Sequence, residues 1–125
     1  MLIKNLYTVK DVVTDNGQTI VQISIDKDHR IFKGHFPGNP VMPGVCMIQI
    51  IKELTEDVVG KKLFLAVSSN IKFMAIINPD TDPDLTLVLD ISQAENEVKI
   101  KNTTSFGETL ALKLNAVFKV VEEKK

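Results

Sequence analysis

Cysteine is almost missing from this 125-residue chain. Cys46 stands alone, which excludes an intrachain disulfide and any zinc site built on paired cysteines. Neither sign of charge dominates. Fifteen Lys and Arg face 16 Asp and Glu, a net charge of −1, so composition supplies no electrostatic reason for nucleic acid or an anionic membrane to be the main partner. No long apolar run is present either. The longest candidate, residues 41–51, is broken by Pro43, Gly44 and Gln49 and falls short of the roughly 18 residues a membrane span needs. Residues 1–10 carry Lys4, Asn5 and Lys10 and lack the apolar core of a signal peptide. The expectation is a soluble cytoplasmic protein with one domain over residues 1–125. With 44% hydrophobic and 25% charged residues the chain has the composition of an ordinary globular protein and not of a disordered one. A monomer of this size buries only about two thirds of its unfolded surface, which leaves room for a dimer.

Strand patterning dominates what is there. Asp15-Asn16-Gly17 is a hairpin turn signal, because Asn and Gly tolerate positive φ. After it Val21, Ile23 and Ile25 alternate with Gln22, Ser24 and Asp26. The same period of two recurs at Leu85, Leu87, Leu89 and Ile91, more briefly at Val98 and Ile100, and at length from Leu110 to Val120, with Phe106-Gly107-Glu108 as the turn before that last run. Residues 64–77 read as a further strand with a kink or bulge near residues 68–70. One segment reads as a helix, opened by Pro43-Gly44 and closed by Gly60. Residues 45–51 are apolar except for Gln49, which predicts a helix buried on all sides. One such helix among six strands predicts an α+β architecture, with an antiparallel sheet wrapped around the helix.

The loop that leads into the helix is dense in conformational specialists. Gly34, Pro37, Gly38, Pro40, Pro43 and Gly44 fall within 11 residues and are six of the chain's 11 Gly and Pro. A rigid, sharply turned loop that delivers His35 beside a helix N-terminus is a catalytic scaffold, and the amides at the helix start, including that of Gly44, are placed to bind a carbonyl or oxyanion.

The run Gly34-His35-Phe36-Pro37-Gly38-Asn39-Pro40-Val41-Met42-Pro43-Gly44, followed by an apolar helix, closely resembles the signature of the 3-hydroxyacyl-[acyl carrier protein] dehydratases, which are hotdog-fold enzymes of fatty acid synthesis. The match is close over residues 31–53 and looser elsewhere, in element order and in Lys72-Phe73; Ala75 and Ile76 stand where the family often carries an arginine. The resemblance implies a hotdog fold, a dimer whose two sheets join, and acyl carrier protein with a phosphopantetheine-linked acyl chain as partner, with no metal or redox cofactor. It implies that His35 removes a proton from C2 of the 3-hydroxyacyl thioester and that the Gly44 amide polarises the thioester carbonyl. Phe36, Pro43 and Val45 then border the substrate. A helix acid, 14 residues after the histidine and contributed across the dimer interface, helps the C3 hydroxyl leave as water.

That position is Gln49, which has no proton to release near neutral pH, while Glu53 stands four residues on, where the family often has glutamine. Residues i and i+4 share one helix face. Glu53 therefore reads either as an auxiliary acid or as a solvated carboxylate at the end of the buried stretch. Three readings of Gln49 stand. Dehydration proceeds with His35 alone or with Glu53 and a water; or a related subunit carrying the acid completes the site in a heterodimer; or the domain binds acyl chains without dehydrating them. In each of these Gln49 also has room to satisfy a hydrogen bond in the core. A thioesterase built on Cys46 and a histidine is a further reading, set against Cys46 as a small buried hydrophobe. His29 reads as a surface residue and Tyr7 as an ordinary strand aromatic. Met42, Met47, Met74, Phe32, Phe36 and Phe73 serve equally as tunnel lining or core. Arg30, Lys33 and Lys72 read as solvated cations or as contacts to an acidic carrier protein.

Overall fold

The computed structural model describes residues 5–32 and 41–121, with the backbone alone at residues 65–69. Six strands and one long helix follow one another as β1 (Tyr7–Asp15), β2 (Gln18–Ile25), α1 (Gly44–Val59), β3 (Leu63–Phe73), β4 (Asp84–Gln93), β5 (Glu97–Phe106) and β6 (Thr109–Val120). The strands form one antiparallel sheet in the order β1-β2-β4-β5-β6-β3, so β1 and β3 are its edges. The sheet curls around α1, which is the hotdog arrangement that the loop and helix motif implies. Among the described residues no helix is long and apolar enough to cross a membrane.

Local chemistry explains the element boundaries. Asn16 and Gly17 both take positive φ, 51° and 79°, as a two-residue hairpin turn requires, and Gly107 at 57° does the same between β5 and β6. Helix α1 begins after Pro43, whose extended backbone caps it, and stops at Gly60 in the left-handed region, where the Gly60 N–H donates to the Glu56 carbonyl at 2.8 Å. The kink expected in the strand after the helix is present as two register shifts in β3, between Leu65 and Val67 and between Ser68 and Asn70. That strand ends at Phe73, four residues earlier than the apolar pattern suggests.

The core lies between the concave face of the sheet and the inner face of α1. Ile23, Leu85, Leu87, Leu89, Val98 and Phe118 on the strands meet Met47, Ile50, Ile51 and Leu54 on the helix, all essentially fully buried. Each such side chain contributes about 1.5–3 kcal/mol relative to its exposed state.

Two expectations need correction. The helix is not buried all round: Val45 is 75% exposed, and Ile48, Gln49 and Lys52 are half-buried along the same stripe. The described residues leave this stripe of α1 open, so an apolar composition here marks a surface and not only a core. Strand β5 also runs far past Val98 and Ile100. Its next inward positions are Asn102 and Thr104, both buried. Asn102 Nδ2 donates to the Val88 carbonyl at 3.1 Å, and Thr104 Oγ1 donates to Asn102 Oδ1 at 3.0 Å, so polar residues occupy core positions with their hydrogen bonds made.

The left-handed cap makes one stability prediction. Gly60→Ala adds a Cβ with no steric neighbour but in an unfavourable backbone region, and is expected to cost about 1 kcal/mol. A urea unfolding curve with an unchanged slope and a lower midpoint checks it; an unchanged midpoint contradicts it.

Candidate active site

Two features on α1 define the candidate site. The first is the helix N-terminus. The N–H groups of Cys46 and Met47 donate back to the Pro43 carbonyl at 3.0 and 3.2 Å, whereas those of Gly44 and Val45 meet no acceptor among the described residues. Beside them lies a cleft of about 350 Å³ lined by Val41, Met42, Gly44, Met47, Phe73 and Ile76. Gly44 lies under the Phe73 ring: a Cβ there would sit 2.8 Å from Cζ of Phe73, so the ring would have to shift to admit one. The absence of a side chain lets an aromatic ring cover the first turn of the helix. Phe73 is itself 57% exposed and walls the cleft, as do Met74 and Ile76; Met42 and Met47 line it as buried core residues, and Phe32 is core alone. Pro43 is half-buried at the cap and Val45 faces outward.

The second feature is a hydrogen-bonded cluster further along the helix. Gln49 Nε2 donates to Glu53 Oε2 at 2.9 Å, and the Tyr7 hydroxyl donates to Glu53 Oε1, also at 2.9 Å. Glu53 is only 8% exposed, so the reading of Glu53 as a solvated carboxylate is overturned. A buried carboxylate needs donors, and these are supplied from one helical turn back and from β1, 46 residues away in sequence. Tyr7 is correspondingly more than an ordinary strand aromatic. Burial, reinforced by the hydrogen bond to Glu53 and its charge, pushes the Tyr7 hydroxyl far above the usual phenol range. An open groove of about 910 Å³ runs along this side of the helix, bordered by Gln49, Lys52, Glu53, Glu56, Lys61 and Val120.

His35 and Phe36 lie outside the described residues. Gly44 and Gln49 are five residues apart on α1, which places them roughly 7–8 Å apart along its axis. Cys46 is buried, and burial alone raises its thiol above the usual value, which leaves it protonated and unsuited to nucleophilic attack near neutrality. His29 is half-buried, with Nδ1 accepting from the Ile31 N–H at 3.0 Å, a local turn contact. The sequence signal that points to the Tyr7–Glu53 pair is slight. It consists of a carboxylate placed one turn beyond an apolar helical stretch.

Set beside known proteins, the chain shows consistent relationships. The model of the ApeI-like family, described as ApeI dehydratase, matches residues 11–111. A 3-hydroxyacyl-[acyl-carrier-protein] dehydratase FabZ of Lactobacillus helveticus is 30% identical over 119 residues, covering 87% of this chain and 78% of that protein. The FabZ of a Caulobacter species is 29% identical over 119 residues, covering 86% and 72%. Among solved structures, the dehydratase heterocomplex ApeI:P from Xenorhabdus doucetiae aligns with a TM-score of 0.69 at 18% identity, over 90% of this chain and 96% of that one. A hypothetical thioesterase from Streptococcus pneumoniae, crystallised with coenzyme A, aligns at 0.65 and 15%, over 95% and 88%. The fold is thus that of the hotdog dehydratases and thioesterases. Within that class, the chain belongs to the ApeI-like 3-hydroxyacyl-[acyl-carrier-protein] dehydratase family.

Tyr7 provides a direct test of the cluster, because the chain has one tyrosine and no tryptophan. The unfolded chain ionises its tyrosine near pH 10, whereas the folded protein keeps the Tyr7 proton to well above that. The folded state therefore binds more protons above pH 10, and stability falls as pH rises, by about 1.4 kcal/mol per pH unit from this group. A spectrophotometric titration is expected to show the phenolate band appearing together with unfolding. A band that rises near pH 10 in the native protein would contradict the buried pairing.

Proposed function

We propose that the protein removes water from a 3-hydroxyacyl thioester carried on acyl carrier protein, giving the trans-2-enoyl thioester in fatty acid or related acyl-chain synthesis in the cytoplasm. The observation that supports this reading is that the family signature, residues 34–44 in the sequence, runs into α1, where two helix N–H groups meet no acceptor among the described residues beside an apolar cleft. His35 takes the C2 proton. The electron pair moves into the C2–C3 bond, and the thioester oxygen, on which charge develops, is held by the Gly44 amide. Phe36, Pro43 and Val45 are assigned to the border of the acyl chain by the family resemblance; Pro43 and Val45 stand beside Gly44 at the helix start but are not part of the cleft lining, and Val45 faces outward. The C3 hydroxyl leaves as water with the proton that the His35 imidazolium carries, so atoms and charge balance without a metal or redox cofactor.

A second reading is favoured by one observation, the commitment of Glu53 to Tyr7 and Gln49. With Gln49 at the family's acid position and Glu53 paired behind it, a related subunit carrying the acid would complete the site of His35 in a heterodimer. The structural likeness to a dehydratase heterocomplex agrees with such an assembly. A homodimer is the simpler assembly and the one proposed here first.

Two experiments test the reading. A 3-hydroxyacyl thioester on acyl carrier protein is incubated with the purified protein, and the enoyl product is followed. His35→Ala is expected to lower the rate by at least about 10²-fold, and an unchanged rate ends the assignment of His35 as base. Gln49→Glu alone would set a second carboxylate 2.9 Å from Glu53, an unfavourable pair of like charges. The double exchange Gln49→Glu with Glu53→Gln keeps one carboxylate and one amide in contact and restores the family order. It is expected to raise the rate by about 10²–10⁴-fold, the usual worth of general acid help. No gain in a folded double variant assigns the acid to a partner subunit.

A further inference from the structure

A glutamine amide has one donating and one accepting end, and in Gln49 the donating end is already used. Its Nε2 faces Glu53 Oε2 at 2.9 Å. Two donors converge on Glu53, from Gln49 and from Tyr7, which is the arrangement an ionised carboxylate demands. Such a carboxylate only accepts, so the amide nitrogen and not the carbonyl must point at it. Tyr7 on the far side holds its proton and stays a donor, because its ionisation is displaced upward by burial and by Glu53. The three residues thus form a chain with a fixed polarity, Tyr7 to Glu53 from one side and Gln49 to Glu53 from the other. The planar amide sends Gln49 Oε1 in the opposite direction. No donor among the described residues pairs with that oxygen, and no side-chain polar atom of the described residues is both buried and unpaired, so Oε1 is open to the groove along the helix.

The geometry points to Tyr7 and Glu53 as positioning residues that hold Gln49 as a hydrogen-bond acceptor for the C3 hydroxyl of the bound acyl chain. This rests on the dehydratase reading above and specifies the ligand chemistry of that site. An acid at the same position presents a proton to the leaving oxygen, whereas Gln49 as it is held here presents a lone pair and takes the proton of the hydroxyl in a hydrogen bond. The site consequently selects a chain with a donor at C3 over one with only an acceptor there. Selection is stored in the direction of one amide, and that direction is set by the carboxylate behind it. Exchanging that carboxylate for an amide turns the arrangement round. Tyr7 keeps its partner in the carbonyl of the new amide, whose nitrogen then faces Gln49, and Gln49 has to offer its own carbonyl inward and its nitrogen outward.

Binding of two probes to the full chain tests this. The probes are 3-hydroxyhexanoyl and 3-oxohexanoyl pantetheine amides, in which an amide replaces the thioester so that the C2 proton is not removed. The wild type is expected to bind the hydroxy probe about tenfold more tightly, the worth of one net hydrogen bond. Glu53→Gln is expected to erase or invert that preference, Tyr7→Phe to reduce it several-fold, and Gln49→Leu to abolish it while retaining binding of both probes. A general loss of packing would weaken both probes alike and leave their ratio in place, so the ratio separates positioning from structure. An unchanged ratio in a folded Glu53→Gln protein overturns the inference. Should that variant not fold, an unchanged ratio in Tyr7→Phe overturns it instead. A wild type that binds both probes equally also overturns it and leaves the dehydratase reading intact. A wild type that binds neither probe overturns both.

Discussion

The cost of removing a carboxylate from water governs the organisation of the site. Glu53 sits on the helix where the sheet closes against it, and a charge in that position persists only if hydrogen-bond donors replace the lost solvent. Tyr7 reaches across from the edge strand β1, and Gln49 reaches forward from the preceding turn of α1. The first contact ties the edge strand β1 to the helix across 46 residues of sequence. The second fixes which end of the Gln49 amide faces Glu53. A stability requirement in the core is thereby converted into chemical polarity in the groove.

The apolar end of the site follows from a different constraint, the approach of Phe73 to the first turn of α1. Gly44 has no side chain, so the ring lies against the helix start and forms one wall of the cleft. The helix N-terminus keeps N–H groups without described acceptors while its surroundings stay apolar, a combination that favours a polarised carbonyl attached to a hydrocarbon chain. The helix therefore carries a charge-stabilising end and a hydrogen-bonding middle, separated by less than two turns.

Much of this was legible before any coordinates, and the failures share one physical cause. The Asn16-Gly17 hairpin, the bounds of α1 and the irregularity in β3 are local signals, readable because backbone conformation and short-range alternation leave their mark on neighbouring residues. The second half of β5 escaped because its inward positions hold Asn102 and Thr104, whose partners lie on β4 and within the strand itself, so the alternation continues in space but not in hydropathy. The burial of Glu53 escaped for the same reason, since its donor Tyr7 is 46 residues distant and only the apolar stretch one turn before it hints at cover. The openness of Val45 reverses the problem: apolar composition states a preference for cover without saying whether the same chain supplies it. The loop before α1 was read from its motif alone, and residues 33–40 of it lie outside the described residues.

The two irregularities in β3 have a consequence for how the family can vary. A single extra residue in a strand exchanges its two faces from that point onward. Two extra residues, as here, cancel, so Phe73 returns to the side of Leu112 while Lys72 pairs with Lys113 on the other. A relative that lost one of the two insertions would turn a lysine toward the cleft and an aromatic toward solvent without changing either residue, and would thereby trade a hydrocarbon wall for a cationic one. Substrate preference can in this way shift through the count of residues in a strand whose composition stays the same.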